Sequence, residues 1–183
     1  VLRRLNATRE GPAVTGRGVG FAVVLDTETT GMDPAADKVI ELALVKFEYS
    51  RESGAIGRVF DVYDGLEDPG MPIPPESTAI HHITDEMVRG QRLDEAAIGR
   101  VLDGAGLVIA HNAGFDRPFV EARLPALRSM PWACSLREVP WDNLGLGSAK
   151  LDYLAYRYGF FFEGHRAEID CRALLEILRR PIP

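Results

Sequence analysis

The sequence is poor in cysteine, in long apolar runs and in positive charge, and each shortage bears on what the chain can do. Only two cysteines, Cys134 and Cys171, occur in 183 residues. That is too few for a disulfide scaffold and carries no zinc-ligand spacing, so the expectation is two reduced thiols packed in a cytoplasmic protein. No apolar stretch approaches the roughly 18 residues needed to span a bilayer, so no membrane role is expected. No apolar run follows Arg3 and Arg4 before Phe21 either, so no secretory leader is read. The chain opens on Val1 rather than Met, which leaves trimming or a longer parent protein open. With 27 Asp and Glu against 21 Lys and Arg, the net charge is −6, which argues against a strongly basic nucleic-acid clamp. A nuclease survives that test, because catalytic carboxylates raise the acidic count and divalent cations offset them.

What is present fits one domain with a single sizeable core: 46% of residues are hydrophobic and 26% charged. Residues 1–19 are polar and Gly-rich and read as a flexible lead-in, with 20–183 as the folded unit. Phe21–Asp26, Val39–Tyr49 and Gly57–Tyr63 read as strands, with a hairpin turn over Ser50–Gly54. A proline-dense loop follows at Asp68–Pro75, then short helical pieces over Glu76–Gln91. Leu93–Leu102 has apolar residues at helical spacing, and Leu107–Ala110 reads as a strand entered through Gly106. Gly114–Leu124 is expected to be helical, with Pro118 tolerable only in its first turn. Trp132–Ser135 reads as an edge strand, Lys150–Tyr158 as a helix stopped by Gly159, and Ala167–Arg180 as the last helix. Three leading strands, a helix, a strand and further helices make a mixed α/β sheet.

The chemistry-bearing segment is Asp26-Thr27-Glu28-Thr29-Thr30-Gly31, at the end of an apolar strand. Acids at i and i+2 of a strand point to one face, where their charges repel unless a cation or proton intervenes. Such a pair reads as half of a hard-metal site. Further along, His111-Asn112-Ala113-Gly114-Phe115-Asp116 joins a strand to a helix, placing Asp116 where open α/β sheets take ligands. Alone, Asp116 reads as a charge complementing the helix dipole. His165 and Asp170 flank the start of the last helix, and Asp170 lies close in phase to its apolar stripe, so it calls for a partner. Glu76 and His81 follow the proline loop and, alone, read as a capping residue and an exposed histidine. Phe115 and Phe119 read as core beneath their helix rather than as base-stacking platforms.

In order and spacing, the strand D-x-E, the H-N-A-x-F-D junction and the H-x4-D together resemble the DEDDh (DnaQ-like) family of 3′–5′ exonucleases. The resemblance runs from about Phe21 to Leu178 and is nearest the proofreading epsilon subunits of bacterial DNA polymerase III and their standalone relatives. It implies a ribonuclease H-like fold, a five-stranded mixed sheet with helices on both faces. It implies Asp26, Glu28, Asp116 and Asp170 as ligands of two divalent cations, Mg²⁺ or Mn²⁺, and His165 as general base. It also implies Thr29, Glu76 and His81 as contacts to the substrate nucleotide. The family commonly has Gly where this chain has His82, which demands a backbone conformation that a Cβ can tolerate.

Phosphodiester hydrolysis needs an activated water and neutralisation of charge on the phosphoryl oxygens, which two ions roughly 4 Å apart supply. Oxygen-loving cations explain the carboxylates and the absence of a Cys or His cluster. Imidazole, with an ordinary pKa of about 6.5, suits a base working near neutral pH. The expected substrate is the 3′ end of single-stranded or frayed DNA, released as 5′-mononucleotides in replication or repair. RNA trimming of the ribonuclease T or oligoribonuclease kind stays open, as does a non-catalytic end-binding, polymerase-accessory module. A phosphatase with an Asp nucleophile fits poorly, because the third position of its motif is Glu28 and His165/Asp170 have no place in it. A DNA polymerase partner is left open: the chain ends at Pro183, right after its last helix, without a tail like the one epsilon subunits use to hold their polymerase.

Overall fold

A computed structural model describes residues 1–6, 11–14 and 18–180. Its centre is a five-stranded mixed sheet in the order β4-β3-β2-β5-β6. The strands are β2 (Val19–Thr29), β3 (Val39–Ser50), β4 (Ile56–Leu66), β5 (Ala105–Ala110) and β6 (Trp132–Cys134). The first three form an antiparallel meander whose turn closes through Gly54 N–H donating to Ser50 O at 2.8 Å. On its other side β2 pairs in parallel with β5, which pairs in parallel with β6. Central β2 therefore has backbone partners on both edges as far as Val24, and beyond it the ladder to β3 carries the strand on through Thr29.

Alternation along β2 and β3 splits the core in two. Val23, Leu25, Leu42 and Leu44 face α3 (Glu95–Leu102) and α4 (Ala113–Arg123), meeting Ile98, Val101, Phe119 and Val120. Ala22, Val24, Ala43, Val45 and Phe47 face α7 (Ala167–Leu178), meeting Ala167, Cys171, Leu174 and Leu175. The expected class, with helices on both faces, is what the chain adopts. Phe119 is 3% exposed and Phe115 packs against the same cluster, as core residues should. Cys171 is buried and Cys134 half-buried, both as free thiols. Among the described residues, no helix is long and apolar enough to cross a membrane.

Several boundaries move. The first long strand runs past Asp26 to Thr29, so both acids of the D-x-E lie within it. Within the expected lead-in, β1 (Arg3–Arg4) pairs in parallel with β7 (Phe160–Phe161), and Arg3 reaches Glu176 at 2.6 Å. A short polar segment is tied down here by ladder bonds and one ion pair, which composition does not reveal; residues 7–10 and 15–17 lie outside the described residues. Pro118 is not in the first turn of α4 but inside the helix. The helix starts at Ala113, and the missing N–H removes one bond from a segment fixed by core contacts at Phe119 and Val120. Before it, α1 (Pro75–His81) and α2 (Asp85–Val88) supply the short helical pieces, anchored by Ile73, Ile83 and Val88 against Ile40.

Candidate active site

Asp26 and Glu28 leave β2 on the face that α7 covers, following Ala22 and Val24 by alternation. Across the strand pair, Ala43 lies opposite Asp26, and a further acid, Glu41, lies opposite Glu28. The start of α7 then brings in Asp170. Ligand oxygens of Asp26, Glu28 and Asp170 all lie within 4.8 Å of one another.

Such crowding has an electrostatic signature. Burial, reinforced by the charges of Asp116, Asp170 and Glu28, holds the Asp26 carboxyl well above the usual carboxylate range. Burial, together with the Asp170 and Glu41 charges, pushes Glu28 up to about 8. Asp170 is raised to about 6, again chiefly by burial, although it accepts the N–H groups of His165 and Arg166 at 2.7 and 3.2 Å. Three acids that resist ionising together, offering only oxygen, fit hard divalent cations such as Mg²⁺ or Mn²⁺.

Asp116 arrives from the opposite face. It is 3% exposed in the first turns of α4, after Asn112 in a left-handed conformation (φ 85°). Its Oδ1 accepts the N–H and the hydroxyl of Thr27 at 3.2 and 2.8 Å, which positions it beside the trio but outside that set. Burial raises it to about 7 against the lowering effect of the Thr27 hydrogen bonds. Thr27 is thus a functional support that the motif hides in its x position.

His165 is exposed at the mouth, with φ 65°. It borders a cleft of about 610 Å³ that His111, Lys150, Phe162 and Asp170 also line. Among the described residues, His82, Asn112 and His165 are the non-glycine residues with positive φ, and each lies beside a segment that carries a site residue. His82 caps α1 at φ 60°, so it takes the left-handed conformation expected of the family's glycine.

The three expected nucleotide contacts stand differently. Thr29 is 7% exposed and its hydroxyl donates to Gly31 O at 2.6 Å. Glu76 is exposed in the first turn of α1, which Ser77 ties to the end of β2 by donating to Thr30 O at 2.8 Å. His81 is not an exposed histidine but 2% exposed, and burial lowers its pKa. Its Nδ1 accepts from Ile83 N–H, so the neutral ring carries its proton on Nε2, which lies near the Thr29 backbone without a well-formed hydrogen bond. Sequence reading passed over Glu41, although a lone acid inside the apolar run Val39–Val45 signals a buried charge in need of a partner. Its partner, Arg166, sits between His165 and Ala167.

A family model described as Exonuclease matches residues 23–178. The chain belongs to the exonuclease family. This exonuclease is similar to the DNA polymerase III subunit epsilon of Treponema pallidum (strain Nichols), 34% identical over 162 residues, 83% of this chain and 72% of that protein. It is also similar to DNA polymerase III PolC-type of Thermotoga maritima, 32% identical over 169 residues, which are 86% of this chain but 12% of that protein. Among solved structures, Exonuclease X in complex with 5′-overhanging duplex DNA superposes with a TM-score of 0.61 at 26% identity, over 86% of this chain and 90% of that one. The resemblance to DEDDh exonucleases therefore holds.

Proposed function

We propose that this exonuclease hydrolyses phosphodiesters at the 3′ end of single-stranded or frayed DNA, releasing 5′-mononucleotides with two divalent cations and His165 as general base. The observation that carries the reading is the trio of Asp26, Glu28 and Asp170 oxygens within 4.8 Å, with His165 at the rim. Asp26 would serve both cations, Glu28 and Asp170 the one that activates water, and Asp116, with Oδ1 committed to Thr27, the other, directly or through water. When bound, the cations supply charge neutralisation at the phosphoryl oxygens and lower the pKa of water. His165 takes the proton of the attacking water. Thr29, Glu76 and His81 hold the terminal nucleotide.

DNA is favoured because the relatives named above are DNA polymerase III proteins and the superposed Exonuclease X was solved on duplex DNA. One unit over residues 20–183, acting in the cytoplasm and alongside a polymerase in replication or repair, completes the reading. A time course on 5′-labelled single-stranded DNA tests it, with Mg²⁺ or Mn²⁺, matched RNA and Asp26→Ala run in parallel. A metal-dependent ladder shortening from the 3′ end, absent in Asp26→Ala and faster on DNA, is expected. Faster shortening of RNA reassigns the substrate, and binding of DNA ends without cleavage overturns the enzyme reading.

A further inference from the structure

Glu41 is 1% exposed, directly across the strand pair from Glu28, yet it is not one of the three acids whose oxygens converge. Both of its oxygens are occupied. Oε1 accepts from Arg166 Nη2 and Nε at 2.6 and 2.9 Å, and Oε2 accepts the N–H of Ala167 at 2.9 Å. Asp170 meanwhile accepts the N–H groups of His165 and Arg166. Three successive backbone donors, at 165, 166 and 167, are thus held by two carboxylates from different elements. One carboxylate belongs to the converging trio; the other bonds only to this loop and reaches the trio by its charge, which Arg166 offsets.

The segment so held includes His165 at φ 65°, a conformation that L side chains rarely adopt and that persists only where its surroundings over-determine it. Stability is a weak reason to place such a pair here, because apolar residues of similar volume often serve a core equally well. A carboxylate on a strand that takes both a planar guanidinium fork and the first N–H of a helix does something an apolar pair cannot: it fixes an angle. We propose that Glu41 and Arg166 form a positioning clamp that sets His165 beside the carboxylate cluster and acts on hydrolysis chiefly through His165, the opposite charges of the pair offsetting each other at Glu28. The inference rests on His165 serving as the base.

The test combines kinetics with amide hydrogen exchange. Arg166→Met lowers kcat by about 10- to 100-fold while KM and Mn²⁺ affinity stay within about threefold, the pattern of a misplaced base. Replacing the pair with apolar residues, Glu41→Leu/Arg166→Met, recovers thermal stability but not kcat. In a His165→Ala background, Arg166→Met costs no more than about threefold further, because the two changes disable one step. Full additivity in that background, or recovery of kcat together with stability in the apolar pair, overturns the clamp. If the wild-type chain shortens no polymer, the functional reading fails separately. The clamp is then judged by exchange of the His165 amide in the apolar pair variant: at least tenfold faster upholds it, unchanged exchange overturns it.

Discussion

The carboxylates at the end of β2 and the histidine ahead of α7 meet at Asp170, whose oxygens converge with the first and whose cleft the second shares, yet they are held by opposite means. Asp26 and Glu28 project from a central strand laddered to β3 through both residues, so their placement is set by the sheet and their difficulty is electrostatic. His165 is exposed and depends for its place on a left-handed backbone pinned at three amides. The carboxylate half is set by the sheet and charge-frustrated, and the histidine half is the reverse. A bound cation would relieve the first; only neighbouring residues can secure the second.

That contrast is broken most severely at Asp26. Asp26→Ala removes the acid at the centre of the repulsion and is expected to lower the cleavage rate by roughly 10⁴-fold or more, since the cation's contribution is several kcal/mol at tenfold per 1.4 kcal/mol. Isothermal titration with Mn²⁺ should show affinity lost in the same variant. His165→Ala is next: kcat falls about 10²- to 10⁴-fold, the usual worth of a general base, while Mn²⁺ affinity is retained. Turnover near wild type would remove His165 from the mechanism.

The electrostatic half is sharpened by pH without any substitution. Folded Glu28, Asp116 and Asp170 titrate near 8, 7 and 6, above the ordinary carboxyl value of about 4. The folded chain therefore binds protons more tightly than the unfolded one. Stability from these groups is fully present below about pH 4 and is lost as pH rises through the folded values. In EDTA, thermal melts from pH 5 to 9 should show a loss on the order of a few kcal/mol, largely removed by Mg²⁺. A flat or rising profile in EDTA contradicts the crowding. The smallest effect lies at His82, whose left-handed backbone costs about 1–2 kcal/mol, partly offset by glycine's freedom when unfolded. His82→Gly should raise Tm by about 2 °C and leave cleavage within about twofold, measured by calorimetry and the same ladder assay.

The legibility of each half follows the same division. The three long strands and α7 were readable because alternation and helical periodicity report burial directly, whereas the order of the strands was not. Asp26 and Glu28 stood out because like charges on one face need an explanation that local structure does not provide, and Asp170 because an acid in phase with an apolar stripe calls for a partner. Pairings between distant segments were not: β1 with β7 spans nearly the whole chain through two residues each, too short to leave a pattern. Thr27 and Glu41 were missed for a related reason. Thr27 looks like an ordinary strand residue and Glu41 signals only that it needs some partner; the fold alone shows that Thr27 meets Asp116 and Glu41 meets Arg166. His81 misled in the other direction, since a histidine at a short helix's end reads as exposed until Ile83 closes over it.

The most direct test of the division itself is a paired measurement of Mn²⁺ affinity and cleavage rate on wild-type, Asp26→Ala and His165→Ala chains. Loss of both quantities in Asp26→Ala, with loss of rate alone in His165→Ala, is the result the account predicts. Metal affinity that survives Asp26→Ala, or disappears with His165→Ala, would contradict it.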